Sequence, residues 1–491
     1  MTPTETQPNR WAALIVLCVG MLMIILDSTI VNVALPSIQD DLGFSQSSLA
    51  WVVNAYLIAF GGLLLLAGRI GDLVGPRRVF LLGLAIFTIA SLFCGIAQSQ
   101  EVLIVARFIQ GVGGALTSAV ILGMIVTLFP EPREQAKAIG VYAFVASAGA
   151  SIGLLAGGAL TQLINWHWIF FVNLPIGVAT ALFALRLVAG GRGIGWRRGA
   201  DVLGASLVTG ALMLLVYTIV EAGERGWGSL ETLAFGAVSV ALLGAFFARQ
   251  ARATDPLMPL GVFRSRNVSG ANVIQMLMVA GLFGMFFLGV LYLQQLLGYD
   301  AIQTGLAFLP VAVLIGALSL FVTPRLNMRV GERATLLPGL ALVAAGLAWF
   351  AGAPLHADYL TDVLPAVVLL GTGAGLSFPS LATLAMKGVA PGEAGLASGL
   401  INTSLQVGGA LGLAVLATLS ATRTETLLAG GDSAAQAVLG GYHLAFWIAA
   451  GFVVAAVAVA AVVLRPAPQA LPELDREFAG ERPAPALVEA G

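Results

Sequence analysis

The sequence predicts an all-α polytopic membrane protein, and three observations support that fold class. Of the 491 residues, 58% are hydrophobic and only 10% are charged, whereas soluble globular domains carry about 25% charged residues. Fourteen segments are apolar and long enough to cross a bilayer. The basic residues gather almost entirely in alternate loops, as in membrane proteins with a fixed orientation. Lipid is therefore the main solvent of this chain.

The spanning segments follow one another through mostly short connections. A spanning helix needs about 20 mostly apolar residues. The predicted helices lie at 11–35, 48–69, 79–98, 102–126, 137–163, 168–189, 200–221, 230–250, 267–295, 303–323, 334–353, 361–385, 395–421 and 442–464. The chain also has 60 glycines, which fits this assignment because glycine is common where membrane helices pack closely.

The distribution of basic residues predicts the orientation in the membrane. With the N-terminus in the cytoplasm, 21 of the 24 lysines and arginines face the cytoplasm. Only Arg225 and Arg423 fall outside, and Arg107 lies within a span. This asymmetry follows the positive-inside rule and predicts that both termini are cytoplasmic.

Glycine and basic residues recur in the same order in the two ends of the chain. Gly111 and Gly113 in the fourth segment match Gly371 and Gly373 in the twelfth, 260 residues later. At offsets of 259 and 256 residues, further matches join Ala138, Gly140, Gly149 and Gly153 to Ala397, Gly399, Gly408 and Gly412, and Gly75 and Arg77 to Gly331 and Arg333. Such duplicated halves are common in transporters.

The repeat divides the chain into four regions. Six-helix bundles are predicted at 1–190 and 266–465, an inserted two-helix linker at 191–265, and a disordered cytoplasmic tail at 466–491, which is rich in Pro, Ala and Glu. Two facing bundles create a central cavity, and rocking of one against the other gives alternating access. The inserted pair is expected beside the bundles, because the repeat already supplies twelve spans.

Two charged residues lie well inside predicted spans. Asp27 is about 12 Å and Arg107 about 8 Å below the outer ends of their segments, at 1.5 Å per residue. A charge at the bilayer centre costs about 2.5–3.5 kcal/mol on insertion scales, so it usually faces a cavity or a partner. We interpret Asp27 as a proton-linked carboxylate with Arg107 as a neighbouring guanidinium. A purely structural ion pair is the alternative.

The loop after the second segment places one carboxylate among three guanidinium groups. Composition alone favours an ordinary positive-inside loop here. The alternative is a cluster that binds neighbouring helix ends and holds one conformation. The residues of this predicted conformational latch are Gly68, Asp72, Gly75, Arg77 and Arg78.

The fifth segment contains small residues at helical spacing. Gly149, Gly153 and Gly157 recur every four residues, with Gly158 next to the last. They form one smooth stripe, which lets another backbone approach closely and slide. Static packing of small residues explains the stripe equally well.

Several of these segments resemble motifs of the major facilitator superfamily, and in particular its fourteen-span drug–proton antiporters. Residues 68–78 resemble the signature loop between the second and third helices, and 26–36 resemble the first-helix motif of the antiporters. Residues 107–111, 149–158 and 166–175 resemble the fourth-helix motif, the fifth-helix antiporter motif and the entry to the sixth helix.

The resemblance covers about residues 10–465 and has three departures, one of which is that no acidic residue lies in the middle of a C-terminal span, although some relatives use one there. Leu154 stands where the fifth-helix motif usually has proline, and Leu405 stands where relatives often have arginine. The resemblance is specific for the family and says little about the substrate.

The resemblance implies a major facilitator fold of two six-helix bundles plus two inserted helices, with the fifth helix facing the other half. It implies multidrug efflux, and so antibiotic resistance, by export of amphipathic or cationic small molecules in exchange for protons at Asp27 and Arg107. A dedicated exporter of one endogenous lipid or antibiotic is an open alternative. Proton-coupled uptake is another, which the fifth-helix motif disfavours. The implied setting is the cytoplasmic membrane of a bacterium. A monomer is expected, and a periplasmic or cell-wall accessory protein stays open as a partner.

Other function classes lack their sequence signatures. There is no H-E-x-x-H zinc motif, nucleophile elbow or phosphate-binding loop, so neither an enzyme nor an ATP-driven pump is predicted. The histidines and cysteines lack metal-ligand spacing, and a net charge of −1 gives no attraction to nucleic acid. The proton gradient would replace any cofactor. Polar residues within spans suggest a substrate cavity lined by Asn32, Asn54, Gln110, Asn272, Gln275 and Gln406.

Overall fold

The computed structural model describes residues 10–190, 201–254, 256–257, 260–386 and 394–464, and all regular secondary structure in these ranges is helical. Twelve helices there are long and apolar enough to cross a membrane. Two further helices contain the shorter apolar stretches Ser48–Leu64 and Ile152–Leu163. The predicted tail at 466–491 lies outside the described residues.

The first half begins with five long helices and ends with a broken one. The bounds are α1 (Arg10–Leu42), α2 (Gln46–Val74), α3 (Pro76–Gly95), α4 (Gln100–Leu128), α5 (Pro132–Leu163), α6 (Trp168–Phe171) and α7 (Asn173–Leu187). The Ser45 and Ser99 side chains accept from the backbone N–H groups of Ser48 and Val102 and so cap α2 and α4. Local sequence therefore determines where these helices begin.

The second half repeats this arrangement with more irregular helices. Its bounds are α10 (Arg266–Leu291), α11 (Ala301–Ala317), α12 (Thr323–Val330), α13 (Glu332–Phe350), α14 (Leu364–Met386), α15 (Ala394–Ala429) and α16 (Ala434–Val463), with α8 (Val202–Arg225) and α9 (Leu230–Arg252) between the halves. A 3-10 turn at Leu260–Arg264 precedes α10. One-turn π-helices at Tyr292–Leu296, Leu318–Val322 and Tyr359–Val363 extend α10, join α11 to α12 and precede α14.

At least four helices extend well beyond the predicted spans: α1, the continuous run of α11 and α12, α15 (to Ala429) and α16 (from Ala434). The first continues through Pro36 to Leu42, although the apolar segment ends at residue 35. The predicted segment 303–323 continues through the π-helical turn into α12 and ends at Val330. Hydropathy finds only the part of a helix that matches the thickness of the bilayer, so polar extensions such as these are missed.

The repeat found in the sequence is also a repeat of helix contacts. A Cβ atom at Gly83 would lie 2.8 Å from the carbonyl oxygen of Gly113, and one at Gly339 would lie 3.0 Å from that of Gly373. The crossing of α3 and α4 is thus repeated by α13 and α14, because glycine at both places lets the backbones touch.

The two halves meet along α2 with α15, α5 with α11, and α1 with α10. At the α5–α11 crossing, a Cβ at Gly158 would lie 2.5 Å from Ala301 O, and a Cβ at Gly305 would lie 2.6 Å from Leu154 O. Each helix therefore offers a glycine to the backbone of the other. This reciprocal contact brings the backbones of α5 and α11 close together.

The inserted helices pack against the seam between the halves. The α8 helix contacts α2 of the first half and α15 of the second, and α9 packs on α8. Asp201 caps α8 and binds Arg249 (2.5 Å) and Gln250 (2.7 Å) near the end of α9. Much of α9 is exposed and apolar, including Leu233, Val238 and Val240, as a lipid-facing helix requires.

Candidate functional site

The two charges inside predicted spans form an ion pair. The distance from Arg107 Nη1 to Asp27 Oδ2 is 2.6 Å, and the side chains are 1% and 0% exposed. This pair joins the middle of α1 to α4 across 80 residues of sequence.

The second oxygen of the Asp27 carboxylate is held by two amides. Gln110 Nε2 and Asn173 Nδ2 each donate to Oδ1 at 2.8 Å. Asn173 is the first residue of α7, next to the break after α6. The carboxylate therefore links three helices of the first half, and it accepts three hydrogen bonds in all. Sequence analysis did not select Asn173, although it lies in the motif at 166–175.

The Arg107 guanidinium has partners besides the carboxylate. Its Nε donates to the backbone carbonyl of Val52 at 2.9 Å, and Nη1 also lies 2.6 Å from Gln110 Oε1. Its Cζ is 4.4 Å from the Tyr56 ring centroid and 5.7 Å from that of Phe170. These aromatic faces stabilise a cation that has been removed from water.

Gln110 connects the ion pair to α3. Its Nε2 donates to Ser91 Oγ at 2.8 Å, and Cys94 Sγ lies 3.7 Å from its Oε1. Ser91 in turn donates to the carbonyl of Phe87. The resulting polar network, defined here as Asp27, Arg107, Gln110, Asn173 and Ser91, is buried throughout.

The polar network lies wholly within the first half. All its hydrogen-bond partners are residues of α1, α2, α3, α4 and α7. Burying an ion pair costs desolvation energy that good geometry and extra hydrogen bonds offset, whereas removing one partner costs about 3–5 kcal/mol. A proton that neutralised Asp27 would weaken its link to Arg107, so the arrangement can convert protonation into a change in helix packing.

Of the predicted latch residues, Gly75 and Arg77 have contacts that the structure describes. Gly75 has φ +111° between α2 and α3, a backbone conformation that favours glycine. Arg77 donates through Nη2 to the carbonyl of Leu185 near the end of α7, so it ties two helices of the same half. Arg78 is exposed, and the Gly68 Cα faces open space. The side chain of Asp72 lies outside the described part of the chain.

The glycine stripe on α5 faces α1, whereas another part of the same helix packs on α11, in agreement with the expectation that the fifth helix faces the other half. A Cβ at Gly149 would lie 2.9 Å from Leu22 Cδ1, one at Gly153 would lie 3.1 Å from Leu26 O, and one at Gly157 would lie 2.8 Å from Ile30 O. Only Gly158 faces α11 of the second half. A stripe is visible in sequence, but the rotation of the helix that presents it is not.

The residues predicted to line a substrate cavity are dispersed. Gln110 belongs to the sealed polar network instead, because its amide bridges α4 to α1 and α3. Asn272 accepts from Ser404 at 2.7 Å and donates to Val268, within the second half. Asn32 donates to the carbonyl of Ser28.

In the described part of the chain, no hydrogen bond links the side chains of the other three cavity candidates to one another. Asn54 and Gln275 are buried, at 0% and 3% exposure. Gln406 packs against Gly61 of α2, at the seam between the halves. Among the described residues, no group of three or more His, Cys, Asp or Glu is placed to hold a metal ion.

Comparisons with known proteins agree with one another. A family model described as Major Facilitator Superfamily matches residues 17–413. The chain is 41% identical to the puromycin resistance protein pur8 of Streptomyces alboniger, over 93% of this chain and 91% of that protein. It is 38% identical to the cephamycin export protein CmcT of Amycolatopsis lactamdurans, over 86% and 87%.

Solved structures show the same fold at low sequence identity. A bacterial homologue of the human lysosomal transporter Spinster, in an inward-facing and unoccupied conformation, aligns with a TM-score of 0.67 at 16% identity, over 98% of this chain and 100% of that one. A point mutant of the nucleoside transporter NupG aligns with a TM-score of 0.65 at 12% identity, over 92% and 100%.

Proposed function

The chain belongs to the Major Facilitator Superfamily, and we propose that it is a secondary active efflux transporter that exports amphipathic or cationic small molecules in exchange for protons. The observation that carries export is the identity of 38–41% with resistance and export proteins across most of the chain. Membership of a transporter family also argues for transport rather than catalysis. The driving force proposed is the proton gradient, with no cofactor.

The proposed topology has fourteen spans in a bacterial cytoplasmic membrane, with both termini in the cytoplasm. Within the described ranges, twelve helices qualify by length and hydropathy. We add α2 and α5, because each runs for about 30 residues beside spanning helices. Single cysteines placed near Gly75 and Gly331, in a background without Cys18 and Cys94, should resist an impermeant thiol reagent in intact cells. Labelling at either place would contradict this topology.

In this topology the structure is closed on the outer side. Polar contacts join the halves at the ends of α1, α5 and α10. Gln295 donates to Gln39 at 2.8 Å, Gln294 donates to the carbonyl of Val33 at 3.0 Å, and the backbone N–H of Ile302 donates to Gln162 at 3.2 Å. Alternating access requires these contacts to break when the cavity opens outward.

Proton coupling is proposed to act through the position of α1. Asp27 is fully buried and bonded in this state, so a substrate does not reach it directly here. Protonation would neutralise the acceptor of Arg107 and loosen α1 from α4. Because α1 also packs on the glycine stripe of α5, and α5 crosses α11, a shift of α1 would pass to the contact between the halves. The proton and the substrate would then favour opposite conformations.

The test of coupling is substrate-dependent proton movement in purified protein. Asp27→Asn keeps the shape of the side chain but removes its proton site, so we expect it to abolish substrate-induced proton release in weakly buffered detergent. Asp40→Asn is the matched control, because Asp40 lies on the same helix but is exposed. Unchanged release from Asp27→Asn would place the proton elsewhere.

A second candidate function is export of one antibiotic, which the names of the relatives favour. Each of those relatives is named for one antibiotic, puromycin in one case and cephamycin in the other. A growth-inhibition panel of unrelated toxic compounds, with and without expression, separates the two candidate functions. Protection against several chemical classes supports multidrug efflux, protection against one supports a dedicated exporter, and increased sensitivity would indicate uptake instead. A monomer is proposed, and the panel in cells lacking cell-wall accessory proteins would test for such a partner.

A further inference from the structure

A cavity at the end of the first half collects guanidinium groups. Its volume is about 180 Å³, and it lies among the start of α1, the start of α3 and the ends of α4 and α7. Three arginines line it, namely Arg10, Arg77 and Arg186. No carboxylate is among the lining residues. Such a concentration of positive charge must be balanced, either by other groups of the protein or by a bound anion.

The charge of this cavity is only partly balanced by the protein. Arg10 pairs with Glu134 at 3.1 Å, and Arg77 donates to the carbonyl of Leu185. The Nε of Arg77 is buried without a partner. Arg186 has no hydrogen-bond or ion-pair partner among the described residues and is exposed. Two net positive charges and several free N–H donors therefore face one cavity.

Neutralisation of helix ends explains part of this arrangement but not all of it. The C-termini of α4 and α7 carry partial negative charge that cations stabilise, and Arg77 performs this role directly. Its repeat counterpart Arg333 does the same, because its Nη2 donates to the carbonyl of Ala461 near the end of α16 at 2.5 Å. This shared contact with a helix end does not explain why Arg10 and Arg186 also line the cavity.

The remaining walls of the cavity are apolar, and they continue onto a face without polar cover. The lining is completed by Ala13, Leu128, Leu185, Leu187, Val188 and Ala189. On the same helix, Leu182, Phe183 and Leu185 are 54–59% exposed, as expected of a surface against lipid tails. The cavity thus combines guanidinium groups at the level of the span ends with an apolar, lipid-facing wall.

We propose that this cavity binds the phosphate of an anionic phospholipid headgroup. Guanidinium groups present planar pairs of N–H donors that match phosphate oxygens, and the end of a spanning helix lies at headgroup depth. The lipid-facing wall favours a lipid over free phosphate, because it would contact the glycerol and upper acyl chain. The inference concerns a site separate from Asp27 and does not depend on the direction of transport.

Native mass spectrometry of the purified full-length protein tests the proposal. Phosphatidylglycerol and phosphatidylcholine with the same acyl chains are titrated separately, and inorganic phosphate is added in a third arm. We expect tighter binding of phosphatidylglycerol. Each arginine removed should weaken it about fivefold, so Arg10→Gln/Arg186→Gln should lose about 25-fold.

The control variant is Arg252→Gln, which removes an exposed arginine at the end of α9, on the cytoplasmic side in the proposed topology but outside the cavity. Arg186→Gln alone guards against misfolding, because that side chain has no described partner to lose. Equal phosphatidylglycerol binding by wild type, Arg186→Gln and Arg252→Gln would overturn the proposal. Binding of inorganic phosphate that depends on Arg186, without any preference between the two lipids, would show that the site binds free phosphate and would overturn the proposed lipid ligand.

Discussion

The two halves differ at corresponding positions of the repeat: the first has a buried polar network where the second has apolar side chains. At the 260-residue offset of the repeat, Arg107 corresponds to Val367 and Gln110 to Leu370. At the 256-residue offset, Ser91 corresponds to Leu347. All three counterparts are 0% exposed. The same helix crossings therefore surround an ion pair in one half and an apolar core in the other.

The counterpart of Asp27 is identified by packing rather than by a sequence match. Gly149 faces Leu22 on α1, and its repeat partner Gly408 faces Met276 on α10. Leu22 and Met276 are 254 residues apart, and the same offset makes Gly281 the counterpart of Asp27 in the second half. Among the described residues, both halves have the close glycine contacts, and the buried ion pair lies in the first half. A buried ion pair is no more stable than a well-packed apolar core, so packing stability alone does not account for its presence in one half.

The largest expected difference between the halves comes from Arg107→Val, which installs the residue found at position 367. It would leave the Asp27 carboxylate buried without its guanidinium, at a cost of about 3–5 kcal/mol in the free energy of unfolding. Val367→Ala in the other half should cost about 1–2 kcal/mol, because only methyl contacts are lost.

Denaturation in detergent measures both variants. Asp27→Asn/Arg107→Val should recover part of the loss, because no unpaired charge remains. Equal destabilisation by Arg107→Val and Val367→Ala would show that the ion pair has no special weight.

Both halves have close helix contacts at glycine, between α1 and α5 in the first half and between α10 and α15 in the second. These shared contacts allow the same substitution to be compared in the two halves. A methyl group at Gly412 would meet the backbone of Ala280, with the carbonyl oxygen at 2.5 Å, whereas one at Gly153 would meet mainly the Thr29 hydroxyl, which can rotate. Both alanine variants should overpack, at about 1–3 kcal/mol, with Gly412→Ala the more destabilising. Thermal unfolding measures the order. Gly123→Ala is the control, because open space surrounds that position, and a loss of stability there would undermine the contact argument.

Gln110→Leu makes the first half resemble the second at one more place. It removes an amide donor from Asp27 and from Ser91, and loss of a buried hydrogen-bond partner costs about 1–3 kcal/mol. Leu370→Met, a swap of similar volume at the counterpart, should cost less than about 1.5 kcal/mol. We expect Gln110→Leu to lower drug-driven proton release as well as stability, since it loosens the carboxylate. Full proton coupling in that variant would restrict the coupling site to Asp27 and Arg107.

The smallest expected stability effect is at Arg77 and Arg333, which are counterparts in the repeat. Each donates to a carbonyl near the end of the last helix of its own half, so glutamine at either place should cost about 0.5–2 kcal/mol. If the loop after α2 acts as a latch, only Arg77→Gln should slow transport in proteoliposomes. Equal transport by the two variants would indicate helix capping alone.

Sequence alone was enough to establish the class of fold and most of its helices. Hydropathy located the spanning helices, because the width of the bilayer imposes a length on each one. Glycine offsets revealed the two halves, and the cost of burying charge drew attention to Asp27 and Arg107. These are local or compositional signals, which can be read without knowing which helices touch.

The packing of the helices sets which side chains meet, and that required the tertiary structure. Asn173 reaches Asp27 across 146 residues, and nothing in its own segment indicates that contact. The glycine stripe of α5 faces α1, and Gln110 faces Asp27 rather than a cavity, because each depends on the rotation of a helix about its axis. In a membrane helix that is apolar on every side, hydrophobicity does not select that rotation, so close packing with neighbouring helices sets it.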